Sequence, residues 1–156
     1  MASSTTPMPA EPTQGLLDTN ILILRRWIDD EALPDEVAIS AVTLAELTAG
    51  VQLVPGDSRQ AREERAKRTE VLQRTENEFD PIAFDAEAAR AFGRISAAVR
   101  VRGRSPRRRV ADLMIASVAM AQGIPLFTTN PDDFAGLEAL VDVVAVARPD
   151  PAPASS

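Results

Sequence analysis

From Gly15 to Val146, short apolar runs alternate with longer stretches in which apolar residues recur at helical spacing. That alternation marks a parallel sheet whose crossovers are helices. Leu16-Leu17 reads as a short first strand ending at Asp18, followed by a helix expected over 19–30. Val37 to Ile39 is a second short strand, after which Ser40 can cap a helix with the apolar stripe Leu44, Leu47, Val51. The stretch 58–78 is highly charged and pairs opposite charges four apart, Glu64 with Arg68 and Glu70 with Arg74, as an exposed helix does. Pro81 to Phe84 reads as an edge strand or an extended link.

Asp85 to Val101 has the pattern of a further helix, ended by Gly103 and Pro106. The next helix, expected over 110–122, carries no charge on any face between Leu113 and Ala121, the mark of a helix buried in the domain, and Gly123 stops it. Pro125 to Thr128 then reads as a strand, 131–140 as a short helix and Val141 to Val146 as a last strand. Right-handed crossovers turn this order into a three-layer α/β/α domain around a mostly parallel sheet, with a site beyond the carboxyl ends of the strands. The folded part is expected over 15–147; the Ser-, Thr-, Pro- and Ala-rich ends, 1–14 and 148–156, have the composition of disordered tails.

Composition narrows the chemistry. In 156 residues there is no histidine and no cysteine, which excludes histidine-based triads, imidazole or thiolate metal ligands and disulfides. The chain has no tyrosine, and Lys67 is its only lysine. Acid–base work therefore falls to carboxylates and water. No apolar stretch is long enough to span a bilayer and the start lacks a signal-peptide pattern, so a cytoplasmic, non-membrane protein is expected. The net charge of −6 is the wrong sign for phosphate binding, yet six of the sixteen arginines fall between Arg100 and Arg109. Arg104, Arg107, Arg108 and Arg109 either grip a phosphate backbone or form a solvated turn that pairs with the surplus acids.

Four acids stand at conspicuous places. Asp18 ends the first strand, where a parallel sheet opens its ligand site; it would also serve as a helix N-cap. Glu46 has Val42, Ala49 and Leu53 as its helical neighbours, an apolar face on which a carboxylate needs a partner unless it reaches solvent from the edge of the stripe. Asp112 begins the apolar helix on the face of Ile115, Ala116 and Ala119, where the helix dipole favours an anion. Asp133 follows the fourth predicted strand, where Asn130 or Asp132 would cap the next turn. The predicted topology brings all four to one end of the sheet. Carboxylates so gathered repel one another unless a cation lies between them, and oxygen-only ligands suit Mg²⁺ or Mn²⁺. Such ions activate water for in-line phosphoryl displacement.

Leu17-Asp18-Thr19-Asn20, Ala45-Glu46-Leu47, the run Ala111 to Ala116 and the run Thr128 to Phe134 resemble, in order, the four motifs of PIN-domain ribonucleases, and among them most closely the VapC toxins of type II toxin–antitoxin pairs. The resemblance spans about Gly15 to Val146. It implies a Mg²⁺- or Mn²⁺-dependent endoribonuclease, homodimeric, cutting tRNA or rRNA and held inactive by a small VapB-like antitoxin. Asp18 and Asp112 would be principal metal ligands, and Glu46 a further ligand or the group that orients the attacking water. Asn130 stands where many relatives have aspartate, so Asp133 either fills that fourth acidic position or serves the turn. The segment before Asp18 is longer than usual in the family, and the helix after Ser58 is unusually charged.

Two other classes fit the residues less well. A haloacid-dehalogenase-like phosphatase wants a second aspartate two residues after the first, where Asn20 stands; a receiver domain wants a lysine near its fourth or fifth strand. The stronger alternative is a catalytically silent PIN-like binding module.

Overall fold

The computed structural model describes residues 14–103 and 109–150. Four strands, β1 (Gln14–Leu17), β2 (Glu36–Ala38), β3 (Leu126–Thr128) and β4 (Val143–Ala145), pair in the order β2-β1-β3-β4. Every pairing is parallel, with Leu16 opposite both Ala38 and Leu126, and Thr128 opposite Ala145. Among the described residues five α-helices connect them: α1 (Thr19–Leu24), α2 (Ala41–Gln52), α3 (Arg59–Glu78), α4 (Ala86–Val101) and α5 (Val110–Gln122).

Side chains alternate faces along a strand, and here that alternation builds two cores. Leu16 and Leu126 pack with Ile95 and Val99 of α4 and Leu113, Ile115 and Val118 of α5. One residue on, Leu17 and Phe127 pack on the opposite face with Ile21 and Leu22 of α1, Leu47 of α2 and Val71 and Leu72 of α3. The result is the expected α/β/α sandwich. From β1 the chain turns first to β2 on one side and later to β3 on the other, so the strand order reverses at β1/β3, and a crevice opens at their carboxyl ends. Asp18 and Thr128 border it. No helix among the described residues is long and apolar enough to cross a membrane.

Several local expectations are corrected. The helix expected over 19–30 stops at Leu24 and tightens into a 3-10 turn, Arg25–Trp27. Asp29 then accepts a hydrogen bond from the Glu31 amide and opens a separate turn, the competition with helical bonding that aspartate offers. The helix expected over 131–140 is only a 3-10 turn, Pro131–Phe134, because Gly136 adopts φ +95° and the Glu138 carboxylate accepts from its amide. Pro81 to Phe84 is the extended link, joined by one parallel bridge from Ile82 to Ser40. On α3, Arg68 pairs with Glu64 at 2.9 Å, whereas Glu70–Arg74 is not among the ion pairs of the described residues. Most of the two expected tails lies outside the described residues; Gln14 already belongs to β1, and 148–150 carries no element.

Gly15 shows how closely the β1 layer is packed. A Cβ there would stand 2.6 Å from Phe127 Cδ1 and 2.9 Å from Pro34 Cγ. Gly15→Ala is therefore expected to destabilise the domain by about 1–3 kcal/mol through overpacking. Thermal unfolding against the wild type checks this.

Candidate active site

Asp18 is the first residue after β1 and the N-cap of α1, its Oδ1 accepting from the Thr19 amide at 2.9 Å. Capping alone does not require burial, yet Asp18 is only 3% exposed. Its Oδ2 accepts from the Thr128 hydroxyl across the sheet at 2.9 Å, and Thr128 Oγ1 in turn accepts from the Asn130 amide at 3.0 Å. Burial raises the Asp18 carboxyl above its ordinary value; the bonds from Thr128 and Thr19 oppose this, and the charges of Glu46 and Asp133 reinforce it.

Glu46 approaches from α2, whose start is fixed by Ser40 Oγ accepting from the Val42 and Thr43 amides. The face expected to bury it is not buried: Ala49 is exposed and Leu53 is 74% exposed. Its partner is instead the Thr19 hydroxyl, which donates to Glu46 Oε1 at 2.6 Å and lies 3.1 Å from Thr43 Oγ1. Thr19 thus ties the start of α1, which Asp18 caps, to the helix that carries Glu46.

Asp112 sits in the first turn of α5, the positive end of its dipole, with Ile115, Ala116 and Ala119 fully buried on its face. Its carboxyl is pushed up to about 6, first by burial, then by the charges of Asp18 and Asp133, with Arg109 pulling the other way. Asp133 also acts on both Asp18 and Asp112, but its own carboxylate is held by Arg109, Nη1 to Oδ1 at 2.9 Å. The Asn130 side chain makes no capping bond to the turn that follows it. Of the four arginines expected to grip phosphate, Arg104, Arg107 and Arg108 lie outside the described residues, and Arg109 is engaged with Asp133.

Asp18, Glu46 and Asp112 line one groove of about 550 Å³, together with Thr19 and Asn20. Among the described residues no three acids are arranged as they would be around a bound ion. Asp18, Glu46 and Asp133 direct oxygens to hydroxyl, amide and guanidinium partners instead. The donor chemistry nevertheless suits a hard divalent cation: oxygen ligands only, at two carboxyls whose proton affinity burial raises, Asp112's further by the charge of Asp18. What sequence reasoning missed is the opposite wall of the groove, formed by Arg26, Trp27, Lys67 and Arg74. No periodicity in the chain places α3 beside α1.

A PIN-domain family model matches residues 16–140. The ribonuclease VapC5 of Mycobacterium tuberculosis is 35% identical over 144 residues, spanning 89% of this chain and 100% of the relative. The solved VapBC-5 toxin–antitoxin structure from M. tuberculosis is similar with TM-score 0.73 and 34% identity, over 86% of this chain and 100% of that one. VapBC2 from Rickettsia felis, solved on a DNA fragment of its promoter, is similar at TM-score 0.60 and 25% identity, over 85% of this chain and 98% of that one.

Proposed function

This chain belongs to the PIN-domain family, and from that premise we propose that it is the ribonuclease toxin of a toxin–antitoxin pair, with Mg²⁺ or Mn²⁺ held by Asp18, Asp112 and Glu46. The observation that carries the proposal is the pair Asp18 and Asp112, lining one groove at the open end of the sheet, both carboxyls raised first by burial and Asp112 further by the charge of Asp18. Within the described residues, Arg109 pairs with Asp133 and no cation forms an ion pair with Asp18 or Asp112. A carboxylate pair so placed costs stability when ionised, and a bound cation offsets that cost.

When bound, the ion supplies an activated water and neutralises charge on the phosphate under attack. The chain's part is to hold the acids. Thr128 fixes Asp18 across the sheet, and Thr19 fixes Glu46, whose carboxylate would be a further ligand or orient the attacking water. The α5 dipole favours the Asp112 anion. Asp133 adds negative charge to the cluster while Arg109 holds it in place. A small VapB-like antitoxin is the partner, in keeping with the toxin–antitoxin complexes this chain resembles. Self-association through the helix around 86–99 is proposed on the family resemblance alone.

Purified protein is expected to cut total cellular RNA with Mg²⁺ or Mn²⁺ and to stop when EDTA removes the metal. Electrophoresis of the RNA reads this, and the fragment ends identify the substrate as tRNA, rRNA or another RNA. No cleavage, together with no heat of Mn²⁺ binding, would replace the nuclease by a catalytically silent binding module.

A further inference from the structure

The groove that holds the acids has a second wall of opposite character. From the 3-10 turn after α1 come Arg26 and Trp27, and from α3 come Lys67 and Arg74, two turns apart on one helix face and so roughly 10 Å from each other. Trp27 is 42% exposed, unusual for a large apolar ring with a core so near, and the Arg26 guanidinium lies 5.2 Å from its ring centre. Arg26, Lys67 and Arg74 form no ion pair among the described residues. The remaining charges of this wall are Glu70 and the mutually paired Glu64 and Arg68.

From this placement, and resting on the ribonuclease reading above, we propose that this wall is a single-stranded RNA subsite: an unpaired base stacks on Trp27 while Arg26, Lys67 and Arg74 take the neighbouring phosphates. Exposed aromatics beside a cationic track are how proteins hold single strands with little sequence preference. Charge complementarity sets the polarity of the groove. Its acidic end repels a phosphate unless a divalent cation is present, whereas the α3 side attracts phosphates with or without metal. Asp18 caps the helix whose continuation ends at Trp27, so Trp27 lies roughly 13–15 Å from Asp18 along that helix. The subsite thus selects strands that can splay a base out near the cut, and a continuous duplex cannot do so.

Trp27 is the only tryptophan in the chain, so its emission reports base stacking without a label. A short single-stranded oligouridylate, titrated in EDTA so that no cutting intervenes, is expected to quench it saturably; the same sequence in a duplex is not. Measured by anisotropy of labelled oligouridylate, Trp27→Ala should weaken binding roughly 5- to 150-fold while Trp27→Phe keeps most of it. Lys67→Ala with Arg74→Ala should reduce the slope of log affinity on log salt by about 0.7 for each phosphate that is no longer neutralised. Unchanged emission at saturating RNA would overturn the subsite, as would quenching by an acidic amphipathic peptide and not by RNA, which would give the wall to a protein partner. Cleavage by the wild type in Mn²⁺, run in parallel, decides the ribonuclease reading separately. Cutting without quenching removes only the subsite, and quenching without cutting removes only the nuclease.

Discussion

Asp112→Asn is expected to lower RNA cleavage by at least about a thousandfold and, without divalent metal, to raise the unfolding temperature near neutral pH. Loss of activity follows from the loss of one of the proposed metal ligands. The gain in stability follows from the carboxyl's position: half-buried, beside Asp18 and Asp133, it binds its proton up to about pH 6, against 3.8 for an ordinary aspartate. Below about pH 4 the group is protonated in folded and unfolded chain alike and costs the fold nothing. Between about 4 and 6 the unfolded chain gives up the proton first, so the folded state loses ground as pH rises; above 6 the cost is complete. Its size is on the order of 1–3 kcal/mol. Unfolding curves in EDTA for wild type and Asp112→Asn should converge toward pH 4 and separate as pH rises through 6. A separation that instead grows on acidification would contradict the assigned direction.

Asp18 is expected to behave differently, with the same thousandfold or larger loss of cleavage but a stability effect that depends on what replaces it. Both its oxygens are used, one for the Thr19 amide and one for the Thr128 hydroxyl. Asn removes the charge that burial penalises and keeps an acceptor. Alanine removes the charge and also the helix cap, and it leaves a fully buried Thr128 hydroxyl without its acceptor. In metal-free protein Asp18→Asn should therefore unfold at or above the wild-type temperature, and Asp18→Ala about 1–2 kcal/mol below Asp18→Asn. Denaturant unfolding of the three proteins orders them. Equal stability of the two variants would show that the one accepted bond asparagine can keep contributes nothing.

The order of elements was legible because each carries its own local signal. The apolar run at Leu16-Leu17, the uncharged helix from Leu113 to Ala121 and the stop at Gly123, which adopts φ +67°, all stand as the pattern predicts. Asp18, Glu46 and Asp112 line one groove, since parallel topology fixes which ends of the elements meet. Other features depend on packing that no periodicity encodes. The helix after Asp18 tightens into a 3-10 turn at Arg25–Trp27 before Asp29 opens a separate turn, and the one after Pro131 is cut short by the Glu138 carboxylate on the Gly136 amide. Glu46 has the Thr19 hydroxyl as its partner, twenty-seven residues away in sequence, and not an apolar face. The charged run after Ser58 carries no sign that Lys67 and Arg74 line the groove of the acids, because long-range packing of α3 on α1 decides it.

The central claim is that RNA is cut by a divalent cation held at Asp18 and its neighbours, and parallel cleavage of total cellular RNA by wild type and Asp18→Asn, each in Mn²⁺ and in EDTA, tests it most directly. Wild type is predicted to cut in Mn²⁺ only, and the folded Asp18→Asn protein in neither. Cutting by Asp18→Asn at the wild-type rate, or by wild type in EDTA, would contradict it.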